Sequence, residues 1–186
     1  AQEPLLAETN LIISVWGDAP RGRRKHLAQY HDGFLADMRC FLKGDEDRLN
    51  DMVFRTRLNQ ADMAVVNYIA HSNGFTLWDM VSYDRKHNED NGENNRDGTD
   101  YNFSWNCGEE GPSRRKQIIK LRRDQLRNGM AMVFLSQGVP LLEAGDEMGH
   151  TKQGNNNTFC QDNALSWLNW KPTKTGTEIR QYIQYL

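Results

Sequence analysis

Apolar residues fall either in short runs or in helical stripes, and the two kinds alternate along the chain. Asn10–Trp16 (NLIISVW) is a short apolar run with β-branched residues and reads as a strand buried on both faces, as in a parallel sheet. The next segment, GDAPRGRRKH, is polar, basic and broken by Gly and Pro, which predicts a loop. Over His31–Lys43, Phe34, Met38, Phe41 and Leu42 recur at helical spacing, with Asp32 or Gly33 as a candidate cap and Gly44 as the stop. Leu49–Leu58 fits neither period cleanly. Ala64–Ala70 (AVVNYIA) is a second buried strand. From about Ser82 to Ser113 the chain is a long polar loop dense in Asn, Asp and Gly. That composition cannot bury a core, so the loop is either functional or disordered, although Tyr101, Phe103 and Trp105 argue that it packs on something. Arg114–Gln137 is the strongest helix: Ile118, Ile119, Leu121, Leu126, Met130, Val133 and Phe134 line one side, basic residues crowd the other, and Gly138 ends it. Val139–Ala144 (VPLLEA) is a third short apolar run, and GDE follows at once. A second Asn-rich loop covers Lys152–Asn163, Asn169–Thr175 reads as a linker, and Glu178–Leu186 as the start of a helix. No repeat of solenoid period is visible. The alternation of strands and helices is the α/β pattern. Long polar loops after strands favour a barrel, whose sites form at the strand C-terminal ends, but periodicity alone leaves a doubly wound sheet equally open.

Composition narrows the function classes. The 186 residues include 23 Lys plus Arg and 25 Asp plus Glu, for a net charge of -2. No positive excess exists to collect phosphates, so nucleic acid and anionic membrane are not expected partners. No window of ~18 apolar residues predicts a transmembrane helix. Ala1 to Glu8 lacks the basic-then-apolar pattern of a signal peptide, and without an initiator Met the chain is expected to be a processed product or a piece of something longer. Cys40, Cys107 and Cys160 form no CxxC pair and are odd in number, so reduced thiols in the cytoplasm (or a plastid, for a plant protein) are expected rather than a disulfide framework or zinc site.

Four groups of residues merit weighing for chemistry. Asp146 and Glu147 follow the third apolar run, where carboxylates at a strand's C-terminal end bind hydroxyls or move protons; the alternative is a solvated turn. Adjacency in sequence does not set the ~5–9.5 Å separation of facing carboxyls that glycoside hydrolysis needs. Glu93, Asn95, Asp97 and Gly98 resemble part of a calcium loop, but the twelfth position is Ser104 where an EF-hand needs a bidentate Glu. An ordered polar loop held by Asn and Asp is the plainer reading, with a loosely bound ion in 88–100 as the alternative. No cofactor is expected. His71 and Ser72 end the second strand, and strand neighbours point to opposite faces, so His71 is not expected to serve Ser72 as a base. His26, His31, His87 and His150 lack ligand spacing and read as solvated or capping side chains. Trp16, Trp78, Trp105, Trp167 and Trp170 offer rings on which sugars stack, against core packing as the account of most of them.

Three long segments carry a resemblance: NGFTLWDMVSYDRKHNEDNGENNRDG, then SWNCGEEGP, then LSQGVPLLEAGDEMGHTKQGNNNTFCQDNALSWLNW. In order and spacing they resemble the isoamylase-type glycogen and starch debranching enzymes of the α-amylase superfamily, and the likeness runs from Leu5 to about Trp170. It implies a (β/α)8 TIM-type barrel acting on α-1,6 branch linkages of glycogen-like or starch-like glucans. It also implies that residues 1–186 are the second half of that barrel, about strands 5 to 8, from Asn10–Trp16 to Val139–Ala144. The first half-barrel, with the nucleophilic Asp on the fourth strand, and the flanking β domains are then expected to lie outside the chain.

Two catalytic positions of the family fall inside it. LIISVWGD is similar to the fifth-strand segment, where the family has a Glu acid/base two residues before the Trp; here that position is Ser14. HSNGFTL is similar to the seventh-strand segment, where the family has His–Asp before GFT; here the pair reads Ser72–Asn73, with His71 one residue early. A hydroxyl is no acid near neutral pH, and loss of a placed general acid removes about 10²–10⁴-fold in rate. Asn73 can bond a sugar hydroxyl but brings no charge to an oxocarbenium-like transition state. The chain is therefore expected to be a degenerate or partial debranching protein, inactive alone, that serves as a glucan-binding or partner subunit; Trp16, Asn73, Phe75 and Asp146 are expected nearest the glucan. The rivals are a fragment of an active debranching hydrolase and a purely structural half-barrel. Half a closed sheet leaves open strand edges, so a homodimer, pairing with a missing half or with an active paralogue, or aggregation is expected.

Overall fold

The computed structural model describes residues 4, 9–14, 26–60 and 63–186. Its centre is a four-stranded, wholly parallel sheet in sequential order: β1 (Leu11–Ile13), β2 (Leu27–Tyr30), β3 (Ala64–Asn67) and β4 (Val139–Pro140). Leu11 pairs with Leu27, Ala28 with Ala64, and Val66 with Val139. The Leu141 amide donates to the Asn67 carbonyl at 2.9 Å and carries the last ladder beyond β4. Sequential parallel order with helical crossovers is what one sector of a (β/α)8 barrel requires.

Helix α1 (Asp32–Lys43) buries Phe34 and Met38 and ends where expected. Gly44 sits at φ 90°, and the amides after the helix return to the Cys40 and Phe41 carbonyls, a left-handed cap that only glycine adopts without strain. Its start lacks a side-chain cap; His31 precedes it instead. The ambiguous stretch is a helix, α2 (Leu49–Arg57), with no buried residue, which is why its periodicity is faint. Helix α3 (Lys116–Leu135) buries Leu126, Met130 and Val133, and α4 (Lys174–Tyr185) begins within the expected linker because Thr173 Oγ1 accepts from the Gly176 amide at 2.9 Å. Phe34 and Met38 of α1, Leu126, Met130 and Val133 of α3, Ile179 of α4, and Ile69, Phe75 and Leu77 after β3 form one core.

Three expectations change. Leu27–Tyr30 is a strand that its polar flanks conceal. β1 is not buried on both faces: Ile12 is 50% exposed, because among the described residues β1 has a neighbour on one side only. The basic side of α3 is not wholly solvated, since Arg122 is buried and donates to the Gly111 and Asn106 carbonyls at 2.7 and 3.0 Å and to that of Glu109.

The long polar segment is ordered. Arg39 of α1, 4% exposed, donates to the carbonyls of Ile69 (2.7 Å), Asn102 (2.7 Å) and Phe75 (3.3 Å), while Arg122 holds the far end of the segment from α3. The two Asn-rich loops clasp each other. Asn88 and Asn156 bond reciprocally, Asn88 Nδ2 to Asn156 Oδ1 at 2.9 Å and the Asn156 amide to Asn88 Oδ1 at 3.0 Å. Asp97 accepts from both Asn91 and Asn157, at 2.7 and 2.9 Å. Of the calcium-like residues, Asn95 also serves loop closure, since it bonds the Asn88 amide and the Lys86 carbonyl. No helix among the described residues is long and apolar enough to cross a membrane.

Candidate functional site

Chain leaving the C-terminal ends of β3 and β4 forms the walls of an open cleft of ≈ 530 Å³. Ser72 and Asn73 come from the turn after β3; Glu143 and Ala144 follow β4; His150, Lys152 and Asn157–Asp162 come from the second Asn-rich loop, and Ser166–Leu168 close the rim. The register Val66 to Val139 sets the two strand ends side by side, and the Asn clasp sets the height of the outer wall.

The residues around 71–73 form a turn rather than strand, which overturns the opposite-faces argument. His71 Nδ1 lies 3.4 Å from Ser72 Oγ and accepts from the Asn73 amide at 3.3 Å. The imidazole stands edge-on to Tyr30, ring centroids 5.2 Å apart, and is tilted against Tyr68 at the same distance. A shared acceptor at 3.4 Å orients the turn; it is too long for a committed proton transfer.

Of the expected site residues, Ser72 and Asn73 line the cleft, and Ser14 is exposed at the bend after β1. Trp16 lies outside the described residues. Phe75 is wholly enclosed in the core and Asp146 is 2% exposed, so both support the cleft from beneath and neither faces a ligand in it. Asp146 Oδ1 accepts from the Leu77 amide at 2.8 Å, tying the segment after β4 to the segment after β3. Burial pushes its carboxyl up to about 8, against the pull of that bond, and nearby Glu143 adds to the rise. Asp79, also buried, is raised to about 6; it accepts from the Lys152 amide at 2.7 Å and from Thr151 Oγ1.

Glu143 and Lys152, which the pattern of the sequence left aside, and Trp167, one of the candidate stacking rings, complete the walls. Lys152 Nζ pairs with Glu143 Oε1 at 2.8 Å, both side chains being mostly buried. Trp167 is 60% exposed with Nε1 donating to Asp162 at 2.9 Å, and Phe159 is 86% exposed; both rings border the cleft. Core packing therefore does not account for Trp167. The histidines also differ from expectation. His31 is buried, its Nδ1 on Asn67 Oδ1 (3.1 Å) and its Nε2 on Arg55 (3.0 Å), and burial lowers its pKa. His150 is half-buried with Nε2 unpartnered, and His87 bonds Glu110 at 3.1 Å. Cys40, Cys107 and Cys160 are all free. Among the described residues, no three His, Cys, Asp or Glu gather as metal ligands.

Comparison with known proteins places this arrangement. No family model matches the chain. A "Glycogen operon protein GlgX homolog" of Mycobacterium tuberculosis is 41% identical over 98% of the chain. The "Glycogen debranching enzyme" of Serratia proteamaculans is 42% identical over 90%, and "Isoamylase 1, chloroplastic" of Oryza sativa subsp. japonica is 44% identical over 100%. The chain is a segment of the isoamylase-type debranching family. It spans about a quarter of the length of these relatives, 27%, 27% and 25% respectively. Pullulanase from Bacillus acidopullulyticus superposes with TM-score 0.56 at 18% identity, over 86% of this chain and 18% of that one. A pullulanase from Anoxybacillus sp. LM18-11, complexed with maltotetraose, superposes with TM-score 0.54 at 20% identity, over 87% and 22%. The fold of this debranching-family segment is accordingly the second half of a (β/α)8 barrel, its cleft at the strand C-terminal ends.

Proposed function

We propose that this debranching-family segment binds α-glucan in the cleft and does not hydrolyse it on its own. The observation that carries this reading is the pair Ser72–Asn73 on the cleft wall, in the position where the family resemblance expects His–Asp. A retaining glycosidase needs one carboxyl to protonate the leaving oxygen and a second to attack the anomeric carbon. Ser14 offers a hydroxyl at the expected acid/base position and Asn73 an amide at the other. Asn73 still donates to and accepts from sugar hydroxyls, and the exposed Trp167 ring, fixed by Asp162, presents an apolar face on which a pyranose stacks. Residues 1–186 then supply strands 5 to 8 of a catalytic-type barrel, and the role is that of a glucan-binding or partner subunit beside a second copy, a complementary half or an active paralogue. Affinity electrophoresis tests the binding: retardation in gels containing glycogen, amylopectin or pullulan is expected, with no release of reducing ends from pullulan. Equal mobility with and without all three polymers refutes it.

A second reading is favoured by the quarter-length match: the chain is a portion of an active debranching hydrolase. The complete parent protein decides between them. Ser14→Glu with Asn73→Asp raises activity from near zero under the first reading, whereas robust activity before substitution supports the second.

A further inference from the structure

On the cleft wall, Glu143 and Lys152 form an ion pair whose side chains keep only 15% and 8% of their exposure. The pair is well made, with Nζ 2.8 Å from Oε1, but its hydrogen bonding is incomplete. Among the described residues Lys152 Nζ spends one of its three donors, and Glu143 Oε2 has no donor facing it. His150 Nε2, on the same wall, is likewise buried without a partner. A desolvated charge pair is maintained at least cost when its remaining protons and lone pairs are satisfied. Glu143 Oε2 is itself closed to the cleft, but the Glu143 and Lys152 side chains line it, so what an occupant can complete is the two unspent donors of Lys152 Nζ and the second lone pair of Glu143 Oε1. Several features hold the pair in place: the Lys152 amide is anchored on Asp79, and Asp146, three residues after Glu143, is anchored on the Leu77 amide.

The chemistry of the occupant follows from what is unspent. A net-charged ligand competes with one member of the pair. A hydroxyl accepts from the ammonium and donates to the carboxylate through a single oxygen, and two adjacent hydroxyls serve both groups at once. We propose that the Glu143–Lys152 pair is a recognition element for a vicinal diol of a neutral saccharide bound in the cleft. This rests on the glucan-binding reading and adds the two residues that grip the sugar.

The test is titration of the full chain with maltotetraose by calorimetry, with melting temperature recorded for each variant. The double variant Glu143→Leu, Lys152→Met removes both charges together, a change that buried pairs tolerate, so its melting temperature stays near that of the native chain. Its affinity for maltotetraose falls at least tenfold. Unchanged affinity in the double variant overturns this proposal and leaves the glucan-binding reading standing. No binding by the native chain refutes the glucan-binding reading, and this proposal with it. Should the double variant fold poorly, Glu143→Gln keeps the shape and one acceptor. At least threefold weaker binding is then expected at unchanged melting temperature, and equal binding overturns the proposal.

Discussion

Asp146 is held protonated at neutral pH, since burial lifts its carboxyl to about 8 from an ordinary value near 3.8. Between those two values the folded chain carries a proton that the unfolded chain releases, so stability falls as pH rises through that window. Asp79 acts with the same sign but only up to about 6. His31 and His150, both lowered by burial, act in the opposite sense and only as pH drops below their ordinary 6.5. From pH 6.5 to 8 the slope therefore belongs mainly to Asp146 and reaches at most about 1.4 kcal/mol per pH unit. Urea unfolding at the two ends of that range should show a less stable chain at pH 8. Asp146→Asn should flatten the difference; a variant with the native slope refutes the assignment. Arg39 is a second buried ionisable residue with a structural task. Arg39→Met strands the carbonyls of Ile69, Phe75 and Asn102, and a loss of about 3 kcal/mol or more is expected in denaturant unfolding. Neither role is legible in the chain. Arg39 sits among the polar positions of an amphipathic helix, and Asp146 in a GDE turn that looks solvated, because burial of a polar residue depends on loops that fold over it from far along the sequence. Ser72 and Asn73 were legible because the flanking segment fixes their positions one by one.

At the scale of elements, two polar loops that share no hydrophobic pattern are joined by side-chain amides. Gly98 lies at their junction with φ +69°, and a Cβ there lands 2.8 Å from Asn88 Nδ2 and against Asn156 Oδ1. Gly98→Ala should cost about 2 kcal/mol or more, from the left-handed backbone and the lost amide bonds together. Hydrogen exchange should quicken in 86–102 and in 154–157 at once, since each loop holds the other; acceleration confined to the first would show that the clasp carries no energy. The cleft's outer wall moves with this clasp, so glucan retardation should weaken in the same variant. The helices α1 and α3 were readable because each buries a stripe against the core. Strand β2 was not, since its four residues LAQY carry two apolar and two mixed positions and follow a basic stretch. The order of the long loop was hidden for a related reason: a network of Asn and Asp has no periodicity, and its composition is that of a disordered segment.

For the whole molecule the decisive quantity is sheet closure. An eight-stranded barrel has no edges, because its last strand pairs with its first. Here, among the described residues, β1 bonds only β2 and β4 bonds only β3, leaving the outward backbone groups of both short strands without a sheet partner. Ile12 on β1 and Val139 on β4 are 50% and 46% exposed, so each open edge also carries apolar surface. Such edges recruit further strands, and neither has a proline or a charge on its outer side to blunt the pairing except Pro140 on β4. The asymmetry makes β1 the expected contact: the Ile12 amide faces outward unobstructed, since Leu11 donates inward to the His26 carbonyl and alternate residues of a strand bond to opposite sides, whereas Pro140 removes a donor from β4. Light scattering at tens of micromolar should therefore report association of the chain. Ile12→Lys should reduce it severalfold, because a charge on an edge strand must be desolvated before a second strand can pair there. The Val139→Lys variant should have the smaller effect. A native chain that stays monomeric across that range would mean that the edges are already covered, and a larger effect at Val139 would move the contact to the other side of the sheet.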